Sequence, residues 1–389
     1  MISQNDIYMN SDKIKSIGIL THRGNYNYGG LFQALALQRW LSSLGFNVEI
    51  INLNKMQLTG SKTGRIIRAL LTPINTFKKI TKSKREQQPP ECFIRIFMDF
   101  KESIKMKYSL EVLPNSIGKI TKKYDAIIVG SDQVWCYKYA RPLIFFIQWK
   151  PAYNGRRLSY AACSPDMDIP WYNKGIIKKQ LMQFDEISVR DVNTQQWVQT
   201  ICNRKPLVVA DPTLLYDFED VVGLNKINEP YIFAYILGTE ICGGHDSIIK
   251  ELCKRYGAIK VIGIAIPNKS NEVEKFADEV IYDASPKDWL TLIKYATFVY
   301  TDSFHGCMFS LKFKKQFIAY YAQQSRASRL IDIRDRYGLE YAIISSVSEL
   351  QEKDCLQNGI NYEKTNPLIQ EHIDLSKQFL INSLCSINE

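Results

Sequence analysis

The chain has 389 residues, of which 46% are hydrophobic and 23% charged, and it carries a net charge of +10. That length exceeds one ordinary compact core, so two domains are expected; no apolar run approaches the roughly 18 residues of a membrane-spanning helix. Nine cysteines, scattered and never spaced C-x-x-C, speak against a disulfide framework and, with only four histidines, against a structural zinc site.

The N-terminus, Met1 to Ser11, is polar and lacks a signal-peptide core, which predicts a cytoplasmic location. Ile14 to Leu20 reads as a buried first strand. A loop rich in Asn and Gly follows, Thr21 to Gly30. Leu31, Leu35, Leu37, Leu41 and Leu44 then recur at helical spacing, and Gly45 ends the helix where a left-handed residue is expected. Val48 to Leu53 is the next strand. This β-α-β start predicts a parallel sheet.

Between Ser61 and Arg85 lie eight Lys or Arg and no acid, so this segment carries most of the net charge. The basicity is local and predicts no nucleic-acid partner. From Ile66 to Ile80 apolar residues recur at helical spacing, with Pro73 expected to kink the helix. Two readings stand for this basic amphipathic insertion at 61–90. It is either a surface helix packed on the body, or a helix whose segment 61–85 lies on an anionic membrane surface.

The α/β rhythm resumes at Tyr124 to Gly130 and Leu158 to Ala162. A helix over Lys174 to Phe184 precedes strand Ile187 to Arg190, and Leu207 to Ala210 is a strand ending in Asp211-Pro212-Thr213. A polar stretch at Asp217 to Pro230 marks the domain boundary. Residues 1–222 then form the first Rossmann-like domain and 223–367 the second. The second has strands at Tyr231 to Leu237, Lys260 to Ile264, Phe298 to Tyr300 and Phe317 to Tyr320. Helices at Ser247 to Tyr256, Pro286 to Tyr295, His305 to Leu311 and Arg326 to Tyr337 separate or follow them. Residues 368–389 form a terminal helix able to pack back on the first domain. The expected fold class is α/β, with two doubly wound Rossmann-like domains facing a cleft. Ligands of such sheets bind beyond the carboxyl ends of strands, where helix N-termini offer free N–H groups and positive dipole.

His305 stands at such a strand-to-helix junction, among Asp302, Ser303 and Gly306. An imidazole there can donate to phosphate or act as a general acid; equally, it is a satisfied structural His with Asp302 as a plain N-cap. Arg190 ends an apolar strand, and its planar fork suits a carboxylate or phosphate. The alternative is a surface ion pair with Asp191. Arg326, Ser328 and Arg329 form either a phosphate cradle or one helix face paired to Asp332 or Asp335. Asp132 and Gln133 follow a strand and can meet sugar hydroxyls, while Trp135 either stacks on a sugar ring or belongs to the core. There is no G-x-G-x-x-G and no Walker motif, so dinucleotide and P-loop readings lack their warrant.

Five segments, in order and spacing, resemble the polysaccharide pyruvyl transferase family from about Ile14 to about Leu339. They are Asn27-Tyr28-Gly29-Gly30 with its helix, Gly130-Ser131-Asp132-Gln133-Val134-Trp135, Ile187-Ser188-Val189-Arg190-Asp191, Asp211-Pro212-Thr213-Leu214-Leu215 and Thr301-Asp302-Ser303-Phe304-His305-Gly306. The resemblance implies a fold like that of GT-B glycosyltransferases, with no metal and no cofactor. It implies phosphoenolpyruvate as the donor substrate and a ketal-pyruvylated sugar as the product. The acceptor is expected to be a lipid-diphosphate-linked sugar of a surface polysaccharide, capsule or exopolysaccharide. The enzyme would then be cytoplasmic and peripheral at the inner face of the bacterial inner membrane.

On that resemblance His305, Arg190 and Asp132 are expected to be catalytic. Ser303, Phe304, Gly306, Arg326, Ser328 and Arg329 are expected on the donor, and Asn27, Tyr28, Gly29, Gly30, Gln133 and Trp135 on the acceptor. One departure stands out: the family often has Arg-Leu-His-Gly where this chain has Ser303-Phe304-His305-Gly306, so either Arg326 or Arg329 supplies the donor's counter-charge or this branch grips its donor differently. Two rival readings remain. A GT-B nucleotide-sugar glycosyltransferase would need ribose and diphosphate partners, for which Glu240 and Asp283 are the candidates. A non-catalytic membrane-associated scaffold is favoured by Ser303.

Overall fold

Short runs of Ile, Val, Ala, Phe and Tyr build two six-stranded sheets in the computed structural model, which describes residues 14–22, 26–54, 89–136, 142–164, 171–267, 271–322 and 324–385. The basic segment 61–85 lies outside the described residues. The first sheet contains β1 (Ser16–Leu20), β2 (Asn47–Ile50), β3 (Ala126–Val129), β4 (Arg156–Ala162), β5 (Glu186–Val189) and β6 (Leu207–Val208), ordered β2-β1-β3-β4-β5-β6. The second contains β7 (Tyr231–Tyr235), β8 (Lys260–Ile264), β9 (Glu279–Ile281), β10 (Phe298–Thr301), β11 (Gln316–Tyr320) and β12 (Ile343–Ile344), ordered β12-β11-β10-β7-β8-β9. Every pairing in both sheets is parallel. Consistent with helices on both faces, β3 and β7 are buried at every residue instead of alternating.

In each sheet the chain winds one way and then the other. The reversal falls between β1 and β3 in the first sheet and between β7 and β10 in the second. A reversal leaves a crevice beyond the strand ends, because the two crossovers diverge to opposite faces. Asp132 follows β3 and His305 follows β10, so the two crevices supply the residues that matter below.

The halves share a core. Tyr28, on the first turn of helix Tyr28–Ser43, stacks on Trp289 of the second domain at 5.5 Å and 10°. Phe32, one turn later, meets Phe309 edge-on at 5.4 Å. The helix Glu91–Ser103 adds Phe93, Phe97 and Phe100 on one face, at the i, i+4, i+7 spacing of an amphipathic helix. Burying one such ring contributes about 1.5–3 kcal/mol, so the interface is a hydrophobic core and not a loose hinge surface.

The last helix, Tyr362–Cys385, returns to the first domain, where Leu380 and Leu384 enter the core beneath β1 and β2. Ser376 Oγ accepts a hydrogen bond from the Ala210 N–H at 2.8 Å. His372 bridges the halves: its Nδ1 faces the Tyr337 hydroxyl at 2.7 Å and its Nε2 the Val208 carbonyl at 3.2 Å. Because a carbonyl only accepts, Nε2 carries the proton and Nδ1 accepts from Tyr337. Among the described residues no helix is long and apolar enough to cross a membrane.

Candidate active site

The site forms where the helix Phe304–Lys312 of the second domain points its first turn at the first domain. Ser303 is the N-cap of that helix, its hydroxyl accepting from the Gly306 N–H at 3.3 Å. Asp302 is not the cap; its Oδ1 accepts from the Leu237 N–H at 2.6 Å and ties β10 to the loop after β7. Gly306 is required by packing, since a Cβ there would meet Thr301 Oγ1 at 2.6 Å. Ser303 and Gly306, expected on the donor, are thereby explained by helix geometry.

His305 is 7% exposed and sits on Gly29. A Cβ on Gly29 would lie 2.2 Å from His305 Nδ1, so only glycine admits the ring there. This fixes Nδ1 against the helix Tyr28–Ser43 and leaves Nε2 facing Asp211 of the first domain. That nitrogen has no hydrogen-bond partner, although Asp211 Oδ2 lies 3.7 Å away across the domain boundary.

Arg190 emerges just past β5 and is buried. Its two terminal nitrogens are already committed, one donating to Asp211 Oδ2 at 3.0 Å and the other to Asp132 Oδ1 at 3.4 Å. Its guanidinium lies 4.5 Å from the Phe304 ring centre. The alternative pairing with Asp191 is overturned: Asp191 caps the helix Val192–Cys202 through the Thr194 N–H at 2.7 Å and accepts from Cys163 Sγ at 2.9 Å. Burial raises the Cys163 thiol to about 12, and the Asp191 charge adds to that, so Cys163 is inert as a nucleophile.

Asp132 follows β3 at φ 74°, in the left-handed region that Asp tolerates better than most residues. Burial favours its neutral form, yet the charges of Arg190, His305 and His22 outweigh this and hold its carboxyl at about 2. Asp211 behaves alike. Burial pushes its pKa up, but His305, Arg190 and the Thr213 N–H hold it well below the usual carboxylate range. Both carboxylates are therefore ionised around one guanidinium.

Arg329 approaches from the helix Gln324–Tyr337, with its guanidinium 5.7 Å from the centre of the Phe304 ring, the same ring that Arg190 covers. Among the described residues it pairs with no carboxylate. Asp332 instead takes Arg336 and the Val192 N–H, and Asp335 takes Arg334. Ser328 is half-buried on the same turn, and the side chain of Arg326 is outside the described residues. Phe304 thus holds one arginine from each domain.

The acceptor-side expectations divide. Asn27 is exposed, and its Oδ1 accepts from the Gly30 N–H at 3.2 Å, capping its helix. Gln133 is half-buried beside the cleft, where its carbonyl meets His22 Nε2 at 3.2 Å. Two expectations need correction. Tyr28 is fully buried between the domains, its hydroxyl donating to the Ala284 carbonyl at 2.7 Å. Trp135 is 1% exposed, stacked on Phe146 at 5.5 Å and on Trp197 at 6.0 Å, with Nε1 donating to the Phe145 carbonyl. Neither presents a face to a sugar. Glu240, considered for a nucleotide ribose, is occupied by the His245 N–H at 3.1 Å.

Two residues belong to the cluster that sequence reasoning left out of it. Asp211 sits within a quoted motif but carried no role, because Asp-Pro-Thr reads equally as a capped turn. His22, just past β1, was masked by its polar loop; a histidine at a strand end was the available signal. Among the described residues no group of three His, Cys, Asp or Glu is placed to hold a metal ion.

A family model described as polysaccharide pyruvyl transferase matches residues 27–323, well over half of the chain and all of the cluster except His22 and Arg329. No curated protein matches the sequence. Among solved structures, the chain is similar to a UDP-GlcNAc 2-epimerase from Neisseria meningitidis bound to UDP-GlcNAc. The TM-score is 0.50 and the identity 11%, over 95% of this chain and 99% of that one. It is likewise similar to MnaA of S. aureus in a co-structure with UDP, at TM-score 0.50 and 10% identity, over 97% of this chain and 98% of that one. At such identities these likenesses speak for the two-domain GT-B fold alone.

Proposed function

The chain belongs to the polysaccharide pyruvyl transferase family, and from that premise we propose that it transfers the carboxyvinyl carbon skeleton of phosphoenolpyruvate onto two hydroxyls of one sugar as a ketal. The observation that carries this reading is His305 Nε2, buried at the domain junction and, among the described residues, without a hydrogen-bond partner, with Arg329 on the same Phe304 platform and paired there with no described carboxylate.

The chemistry sets the demands. Ketal formation begins when C3 of the enol takes a proton and C2 becomes electrophilic. A sugar hydroxyl adds to C2, the C2–O bond to phosphate breaks, and a second hydroxyl closes the ring. Of the two hydroxyl protons released, one balances that delivered to C3 and the other leaves with phosphate. In this reading His305 Nε2 is the general acid for C3. Arg329, helped by Arg326 and Ser328, meets the donor's anionic groups, since Arg190 is already shared by two carboxylates. Asp132, held ionised, accepts a hydrogen bond from an acceptor hydroxyl. A carboxylate with so low a pKa is a weak base, so Asp132 orients that hydroxyl more than it removes its proton. Asn27 and Gln133 complete the acceptor side.

A lipid-diphosphate-linked acceptor would explain the basic segment 61–85, which would bring the enzyme to an anionic inner membrane face. The deciding experiment incubates the protein with phosphoenolpyruvate and lipid-linked sugar, follows phosphate release and weighs the product. A pyruvyl ketal adds far less mass than a hexose. Transfer of a hexose from a nucleotide sugar, with no phosphate released from phosphoenolpyruvate, would replace this reading with that of a glycosyltransferase.

A further inference from the structure

We infer that Asp211 is a positioning residue for the acid step: from the opposite domain it holds the direction of His305 Nε2, without taking the proton. This rests on the reading of His305 as the general acid.

The Asp211 side chain is completely buried. One of its oxygens is anchored, with Oδ1 accepting from the Thr213 N–H at 3.0 Å and from the Thr213 hydroxyl at 2.8 Å. Pro212 and a short turn, Pro212–Leu214, follow directly and fix the backbone. The carboxylate cannot rotate, so Oδ2 keeps one direction. It receives Arg190 at 3.0 Å and the Ser131 hydroxyl at 3.4 Å, and it faces His305 Nε2 at 3.7 Å.

That last distance is informative. At 3.7 Å the contact is too long for a hydrogen bond but close for a pair of charges. An N–H at Nε2 is therefore drawn toward Oδ2 without being tied up in a hydrogen bond. A hydrogen bond of 2.8 Å would instead have held the proton back.

The surrounding groups agree with that role. Arg190 is shared by Asp132 and Asp211, and among the described residues His22 and Arg329 are the further charged or titratable groups of the cluster, acting on Asp132 and lying near the Phe304 ring respectively. When the step occurs, the Nε2–H bond breaks, the C2=C3 π pair forms the new C3–H bond, and the imidazole becomes neutral. A proton from the acceptor hydroxyls returns to Nε2 for the next turnover.

The test is the split between kcat and donor KM in Asp211→Asn, with His305→Ala and Arg329→Ala beside it. Asp211→Asn is expected to lower kcat at least 30-fold (about 2 kcal/mol, at ~1.4 kcal/mol per factor of ten), with donor KM within about threefold. Arg329→Ala should instead raise donor KM. If Asp211→Asn keeps the wild-type kcat while His305→Ala is inactive, this inference fails and the reading of His305 stands. If His305→Ala itself is active, the underlying reading fails. Should Asp211→Asn not fold, as a thermal melt reports, Thr213→Val decides: freeing Oδ1 should lower kcat several-fold at unchanged donor KM, and an unchanged kcat overturns the proposal.

Discussion

The ring of His305 occupies the space that a Cβ on Gly29 would need, 2.2 Å from Nδ1 and 2.6 Å from the histidine's own Cβ. One glycine of the first domain therefore seats the histidine of the second. Gly29→Ala is expected to displace the ring, costing about 1–3 kcal/mol of stability as an overpacked contact and at least a tenfold loss in kcat. A melt and a turnover assay on the same preparation check both; retention of full activity would show that the seat tolerates movement.

His305→Ala should fold and lose turnover by roughly 100-fold or more, the scale of a positioned acid. Its melt should fall only by the loss of a buried ring from its seat on Gly29, because Nε2 contributes no hydrogen bond to the fold. Near-normal turnover would remove His305 from the chemistry.

Arg190→Lys should damage stability as well as activity. Lysine cannot reach Asp211 and Asp132 with a planar fork, and a buried carboxylate left without its partner costs about 3–5 kcal/mol. Chemical denaturation measures the first effect. A stable, active Lys variant would mean that the buried ion network is dispensable.

Trp135→Phe should lower the melting temperature and leave acceptor KM unchanged, since Trp135 packs on Phe146 and Trp197 inside the first domain. A raised acceptor KM in a well-folded variant would restore Trp135 to the sugar site.

Burial first, with the Arg336 charge beside it, lowers His372 to about 4 from an ordinary value of 6.5. Between those values the unfolded chain binds the proton that the folded chain refuses. Stability is therefore complete above about pH 6.5 and is lost as pH falls toward 4, by an amount on the order of 3 kcal/mol. His245, also lowered chiefly by burial, adds in the same direction. Melts across this window should slope less in His372→Gln than in wild type; equal slopes would place the titration elsewhere.

The fold was largely legible. Strand Lys260–Ile264 and helix Pro286–Tyr295 have the bounds their apolar patterns predict, and a Ser285 capping box with Pro286 marks the helix start. The edge strands Glu279–Ile281 and Ile343–Ile344 escaped notice because two or three residues carry no period. The helix Glu91–Ser103 was legible from Phe93, Phe97 and Phe100 but lay behind the basic segment. At the site, position after a strand pointed to His305, Arg190 and Asp132, which the fold brings into one cluster. What sequence could not supply was the facing geometry. Tyr28 reads as a loop aromatic until Trp289, far along the chain, covers it, and Asp211 gains meaning only when His305 arrives from the other domain.

The measurement that bears most directly on the central claim is phosphate release from phosphoenolpyruvate with a lipid-linked sugar, in wild type and His305→Ala, with the product weighed. The account predicts release coupled to a product carrying one pyruvyl ketal in wild type, and almost none in the variant. Release without ketal formation, or equal release in both proteins, would contradict it.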